Sequence, residues 1–115
     1  MTAPDPAIPL LSSIAPLAPG YDAWLCDVWG VMHNGVHAFS DAAEACRRFR
    51  EKGGVVLLLS NAPRPASAVR AQIDGFGVPR DAYDAILTSG DLTRKLIGEH
   101  SDRRLFHLGP ARDKP

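Results

Sequence analysis

Trp24-Leu25-Cys26-Asp27-Val28-Trp29-Gly30-Val31 decides how this chain folds. An apolar run ends in one carboxylate, Asp27, and a glycine follows three residues later. Nearly continuous apolar character marks a strand buried in a parallel sheet. Val55 to Ser60 repeats the arrangement and ends in a hydroxyl, Ser60, followed by Asn61. Such endings put polar side chains at the carboxyl edge of the sheet, where open α/β folds bind ligands. A carboxylate beside a Ser-Asn pair at that edge points to anion chemistry, above all on a phosphoryl group.

Working outward, Ala23 to Val28 reads as the first strand, and Val31 to His37 as a small hairpin. Asn34-Gly35 is the favoured dipeptide of a type I′ turn. Ser40 is placed to cap a helix, with Asp41 and Glu44 in its first turn. Ala42, Ala45, Cys46 and Phe49 recur at helical spacing, Arg47, Arg48, Arg50 and Lys52 face water, and Gly53-Gly54 stops the helix. Val55 to Ser60 is the second strand. A helix from Ala66 to about Asp74 ends at Gly75 and Gly77. Ala85 to Thr88 is a third strand, Asp91 to Glu99 a helix, and Leu105 to Leu108 a fourth strand ended by Gly109-Pro110. This alternation calls for a parallel sheet with right-handed crossovers. The fold class is α/β, a Rossmann-like three-layer parallel sheet. Because the sequence stops directly after a strand, it reads as the N-terminal portion of a longer protein.

Composition narrows the function. At 115 residues the chain is one domain at most, with 45% hydrophobic and 23% charged residues. Thirteen basic and 13 acidic side chains cancel, and no basic stripe supports nucleic-acid binding. The longest apolar run, Val55 to Leu59, is far too short to span a bilayer, so no membrane partner is expected. Residues 1–20 form a Pro-, Ala- and Ser-rich arm, read as packing on the domain, with room for one helical turn over Leu10 to Ala15. No Lys or Arg precedes Arg47, which does not suit the basic start of a signal peptide. Cys26 and Cys46, without CxxC spacing, read as two buried reduced thiols of a cytoplasmic protein rather than as a disulfide or a catalytic cysteine.

At Asp27-Val28-Trp29-Gly30-Val31 the chain resembles the first motif of the haloacid dehalogenase superfamily, an apolar strand followed by Asp-x-Asp-Gly. Leu57-Leu58-Leu59-Ser60-Asn61 resembles its second motif. Ala85-Ile86-Leu87-Thr88-Ser89-Gly90 between two helices looks like the class IIA branch, the p-nitrophenyl phosphatase-like hydrolases with a large cap. On this resemblance residues 21–103 are the core and 104–115 the start of the cap region. It implies a hydrolase, a Mg²⁺-dependent phosphatase on a small phosphorylated metabolite. Asp27 would be the nucleophile, forming an aspartyl-phosphate that water then cleaves. Asp27 and the backbone carbonyl of Trp29 would bind Mg²⁺. Ser60, Asn61, Trp29 and Gly30 would hold the substrate and its phosphoryl oxygens.

Position 29 departs from the motif. The superfamily's phosphatases carry an Asp there as general acid and base, a role worth ~10²–10⁴-fold in rate. Trp29 offers only an indole N–H donor. Three readings stay open. The chain hydrolyses phosphates with good leaving groups such as acyl phosphates. It cleaves a bond whose leaving group needs no proton, as dehalogenases with an aromatic residue at this position do. Or it binds a phosphorylated ligand without turnover, as a regulatory protein. The third-motif Lys and fourth-motif acidic pair belong downstream of the cap. Lys95 and Lys114 fall too early for the former, and Asp91 and Asp102 do not match the latter.

Other residues invite more local readings. His33 and His37 flank a turn rather than share a helix face, so they read as no metal pair, with His33 able to reach substrate. Arg64, in the loop after Ser60, is either a phosphate fork or a solvated charge. Trp24 reads as core.

Overall fold

The computed structural model describes residues 9–100, 102 and 104–113. Three parallel strands form one sheet in the order β1 (Ala23–Asp27), β2 (Val55–Ser60), β3 (Ala85–Thr88). Helix α1 (Ser40–Glu51) joins β1 to β2, α2 (Ala66–Phe76) joins β2 to β3, and α3 (Ser89–Glu99) follows β3. Leu25 pairs with Leu57 and Leu57 with Ala85, and the next such row is Asp27, Leu59 and Leu87.

The pleat sorts the strands into two faces. Val56, Leu58 and Ile86 are buried against Ala43, Cys46 and Phe49 of α1 and Val69 and Ile73 of α2. Trp24 stacks on Phe49 with ring centroids 4.1 Å apart, so it is core as expected. The opposite face carries Leu25, Val55 and Leu87, which are 68%, 50% and 45% exposed. Leu92 of α3 borders a cleft together with Leu25, Leu59 and Leu87, so the third helix starts on this second face. Two helices on one side and the start of a third on the other make the α/β Rossmann-like arrangement.

Several local expectations are corrected. Ser40 is the first helical residue and not the cap. Extended Phe39 holds the cap position, and its carbonyl accepts from the Ala43 amide at 3.2 Å. Gly75 stays inside α2, and the helix ends where Gly77 turns left-handed at φ +91°. Helix α3 begins at Ser89, two residues earlier than expected, because the Thr88 hydroxyl accepts from the Asp91 amide and caps it. The hairpin exists as a bridge between His33 and Ala38, but its turn is not type I′. Only Gly35 takes a positive φ there, and the Asn34 side-chain oxygen accepts from the amides of Val36 and His37. The arm has a 3₁₀ turn at Ala18–Gly20 rather than a helical turn over Leu10 to Ala15. Of the arm's described residues, Ile14 and Ala18 lie beside Trp24 and Phe49, and residues 1–8 lie outside the described residues. Leu105 to Leu108 pairs with no strand among the described residues, and Leu105, Phe106 and Leu108 are exposed.

The arginines of α1 face solvent in ion pairs, Glu44 with Arg47 and Arg48, and Arg47 with Glu51. Arg50 instead reaches across to Asp84, before β3, and holds its carboxylate with two donors. No helix of the described residues is long and apolar enough to cross a membrane.

Candidate functional site

The register of the sheet gathers the polar strand ends. Asp27 is opposite Leu59, and Ser60 is opposite Thr88, so the three polar endings step along one carboxyl edge. A cleft of about 640 Å³ opens there, lined by Asp27, Ser60, Asn61, Thr88 and Ser89 on its polar side. Leu25, Leu59, Leu87 and Leu92 form its apolar wall. The site is thus mostly apolar with a few convergent polar groups, as small-molecule sites commonly are.

Asp27 is exposed. Its Oδ1 accepts from the Val28 amide at 2.8 Å, which fixes the carboxylate and leaves the other oxygen open. The Ser60 hydroxyl accepts from the Ala62 amide at 3.1 Å. That bond uses an acceptor site, so the hydroxyl proton stays available to a phosphoryl oxygen. Thr88 is buried, and its hydroxyl caps α3 by accepting from the Asp91 amide. Sequence reading did not give Thr88 this role, although its place three residues before Asp91 is the spacing of a cap.

The loop from Asn61 to Pro65 is clamped to the start of α3. The Gly90 amide donates to the Ala62 carbonyl at 3.0 Å, and the Asp91 carboxylate accepts from the Ala66 amide at 2.7 Å. The element that carries Ser60 and Asn61 is therefore braced by the next helix.

Trp29 and Gly30 lie beyond the strand end and do not line this cleft. The Gly30 amide donates to the His33 carbonyl at 2.8 Å, and its φ of +78° is the left-handed conformation that favours glycine. Its amide thus serves the turn. Trp29 is 65% exposed, with its indole over Gly35, where a β-carbon would stand 3.3 Å from Cζ2. The ring meets His33 edge-on, centroids 6.0 Å apart. His33 itself is 2% exposed, tilted against Phe76, and its Nδ1 accepts from the Gly35 amide. Burial pushes its pKa below the ordinary value of 6.5. His33 therefore supports the loop instead of reaching into the cleft, and His37 turns toward Asn34. Arg64 donates to Gln72 of α2 at 2.7 Å.

Among the described residues no three His, Cys, Asp or Glu side chains gather into a metal site. The end of β1 offers the Asp27 carboxylate, which lines the cleft, and, two residues on, the Trp29 carbonyl, which accepts no hydrogen bond among the described residues. Both are hard oxygen donors. Mg²⁺ is commonly held by one or two carboxylates together with substrate phosphate and water, so this donor set fits it. Cys26 and Cys46 are both free, with Cys46 buried and Cys26 half-buried. Hydrogen bonding with Cys46 and then burial push the Cys26 thiol well above its usual range.

Comparison with known proteins agrees with this arrangement. A family model described as haloacid dehalogenase-like hydrolase matches residues 24–114. A solved structure of a hydrolase of the haloacid dehalogenase-like family from Brucella suis 1330 is 47% identical, with a TM-score of 0.82. The alignment covers 90% of this chain and 40% of that one, so the chain spans about two fifths of its relative's length. Comparison with the curated proteins gives no match. The family model reaches across both strand endings, Asp27 and Ser60-Asn61, and on that match the chain belongs to the haloacid dehalogenase-like hydrolases.

Proposed function

We propose that this chain carries the nucleophile-bearing part of a phosphohydrolase of the class IIA type, acting on a small phosphorylated metabolite in the cytoplasm. The observation that carries the reading is the alignment of an exposed, oriented Asp27 carboxylate with the Ser60 hydroxyl along one strand edge. An Asp27 oxygen attacks phosphorus, the bond to the leaving oxygen breaks, and an aspartyl-phosphate forms. Water then cleaves that acyl phosphate, releasing phosphate and restoring the carboxylate. The Ser60 hydroxyl and the Asn61 side chain bind and orient the phosphoryl oxygens. A Mg²⁺ ion held by Asp27 and the Trp29 carbonyl would supply charge neutralisation between carboxylate and phosphate.

Trp29 sets the leaving group. With no acid two residues after the nucleophile, departure is fast only for oxygens that are stable as anions, as in acyl or aryl phosphates. The free thiols and the absence of a basic stripe support a reducing compartment and a small-molecule partner rather than a nucleic acid or a membrane.

The test is Mg²⁺-dependent release of phosphate from acyl, aryl and alkyl phosphates, and of halide from 2-haloacids, by the full natural polypeptide. Release from acyl and aryl phosphates that falls ~10³-fold or more in Asp27→Asn is the expected result. Halide release would favour dehalogenation. A folded, Mg²⁺-loaded protein that binds phosphate without turning over any of these would favour a regulatory ligand-binding role.

A further inference from the structure

A second recess adjoins the cleft at the strand ends. It has a volume of about 620 Å³ and shares Asn61 and Ser89 with that cleft, so the two meet at these residues. The 61–65 loop forms one wall, the outer side of α3 another, and residues 107–113 the third. Its charge is one-sided. Arg64, Arg94 and Arg112 border it, against a single carboxylate, Asp113. Arg112 lies 3.7 Å from that carboxylate and is offset by it. Arg94 makes no ion pair among the described residues, and Arg64 is bonded only to the neutral Gln72 amide. Asp91 does not border the recess, and its carboxylate accepts from the Ala66 amide.

Two arginines with no carboxylate partner among the described residues thus border a recess that adjoins the proposed phosphoryl site. Their spacing is held by backbone, because the loop bearing Arg64 is clamped to the first turn of the helix bearing Arg94. Resting on the phosphohydrolase reading above, we infer that the substrate carries a second anionic group, a carboxylate or another phosphate, held by Arg64 and Arg94 while its phosphoryl group sits at Asp27 and Ser60. Guanidinium forks suit either anion, and charge-assisted hydrogen bonds are the strong ones.

Non-hydrolysable alkylphosphonates test this by calorimetry on the full natural polypeptide with Mg²⁺. The series carries a terminal methyl, ammonium, carboxylate or second phosphonate on chains of three to six carbons. The expected result is at least about tenfold tighter binding of one anionic tail over the methyl tail of equal length, the size of one charge-assisted bond. The better of the two anionic tails identifies the group. Arg94→Gln and Arg64→Gln each remove most of that preference while leaving the methyl-tailed affinity unchanged, and Arg94→Lys restores part of it. Equal binding of methyl and anionic tails, a preference for ammonium, or an anionic preference that survives both substitutions would overturn the inference and leave the phosphoryl site standing. Failure of every phosphonate to bind would overturn both.

Discussion

Gly90 stands so close to the loop before α2 that a β-carbon on it would lie 2.5 Å from the Pro63 carbonyl carbon and 2.7 Å from the Arg64 carbonyl oxygen. Both neighbours are backbone and cannot swing aside as a side chain would. Gly90→Ala must therefore shift α3 away from the loop that carries Ser60 and Asn61. The expected cost is ~1–3 kcal/mol, the range for overpacking. Denaturant unfolding measures that cost, and a phosphate-binding assay on the same variant should show weaker binding than in Ala66→Gly, which leaves this contact alone.

Asp84 serves two partners, the Arg50 guanidinium and the Val56 amide. Asp84→Ala is expected to lower the melting temperature more than Arg50→Ala, since only the former also deprives the β2 amide of its acceptor. Arg50 first, and the Val56 amide second, hold the Asp84 carboxyl below its ordinary 3.8. Its stabilising share is therefore complete above that value and fades as pH falls toward the lowered one. Thermal melts from pH 5 to 2 should show a shallower decline in Asp84→Asn than in the parent.

His33 is predicted to make stability fall at a milder acidity. Burial favours its neutral form, so the unfolded chain takes up the proton first, near pH 6.5, while the folded chain resists. Unfolding free energy should decline as pH drops from 7 toward 5. His33→Asn, which retains an acceptor for the Gly35 amide, should flatten that slope at a lower overall stability. An unchanged slope would place the responsible titration elsewhere.

For Trp29, restoring an acid is the informative change. On the proposed mechanism, Trp29→Asp should raise turnover of alkyl phosphates by up to ~10²–10⁴-fold and that of acyl phosphates far less. A plot of rate against leaving-group pKa measures this directly. The parent should fall steeply with pKa, and the variant should be flatter.

Much of this was readable along the chain, for physical reasons. Val55 to Ser60 is continuous, apolar and bounded by Gly53-Gly54 and Pro63, so strand, limits and polar ending were all legible. The placement of Asp27 and Ser60 at one edge follows from parallel pairing, which the alternation of elements already required. What was not legible depended on side chains meeting across the fold. Ser40 looked like a cap, but the extended backbone at Phe39 starts the helix one residue sooner. Asn34-Gly35 looked like a type I′ turn, but the Asn34 side chain closes a wider one. Leu105 to Leu108 had the composition of a strand, yet no described strand lies beside it. The role of His33 was hidden because its burial is set by Phe76, far along the chain.

The pairing of Asp27 with Leu59 has a kinetic side. The Asp27 carboxylate and the Ser60 hydroxyl are brought to one edge by a parallel pairing that spans all of α1, so loop-closure entropy must be overcome before either group gains a neighbour. No partly folded chain that lacks the β1–β2 pairing can present this constellation. Site assembly and cooperative folding thus become one event, and a phosphoryl-like ligand that binds only the assembled edge will slow global unfolding as well as fill the cleft.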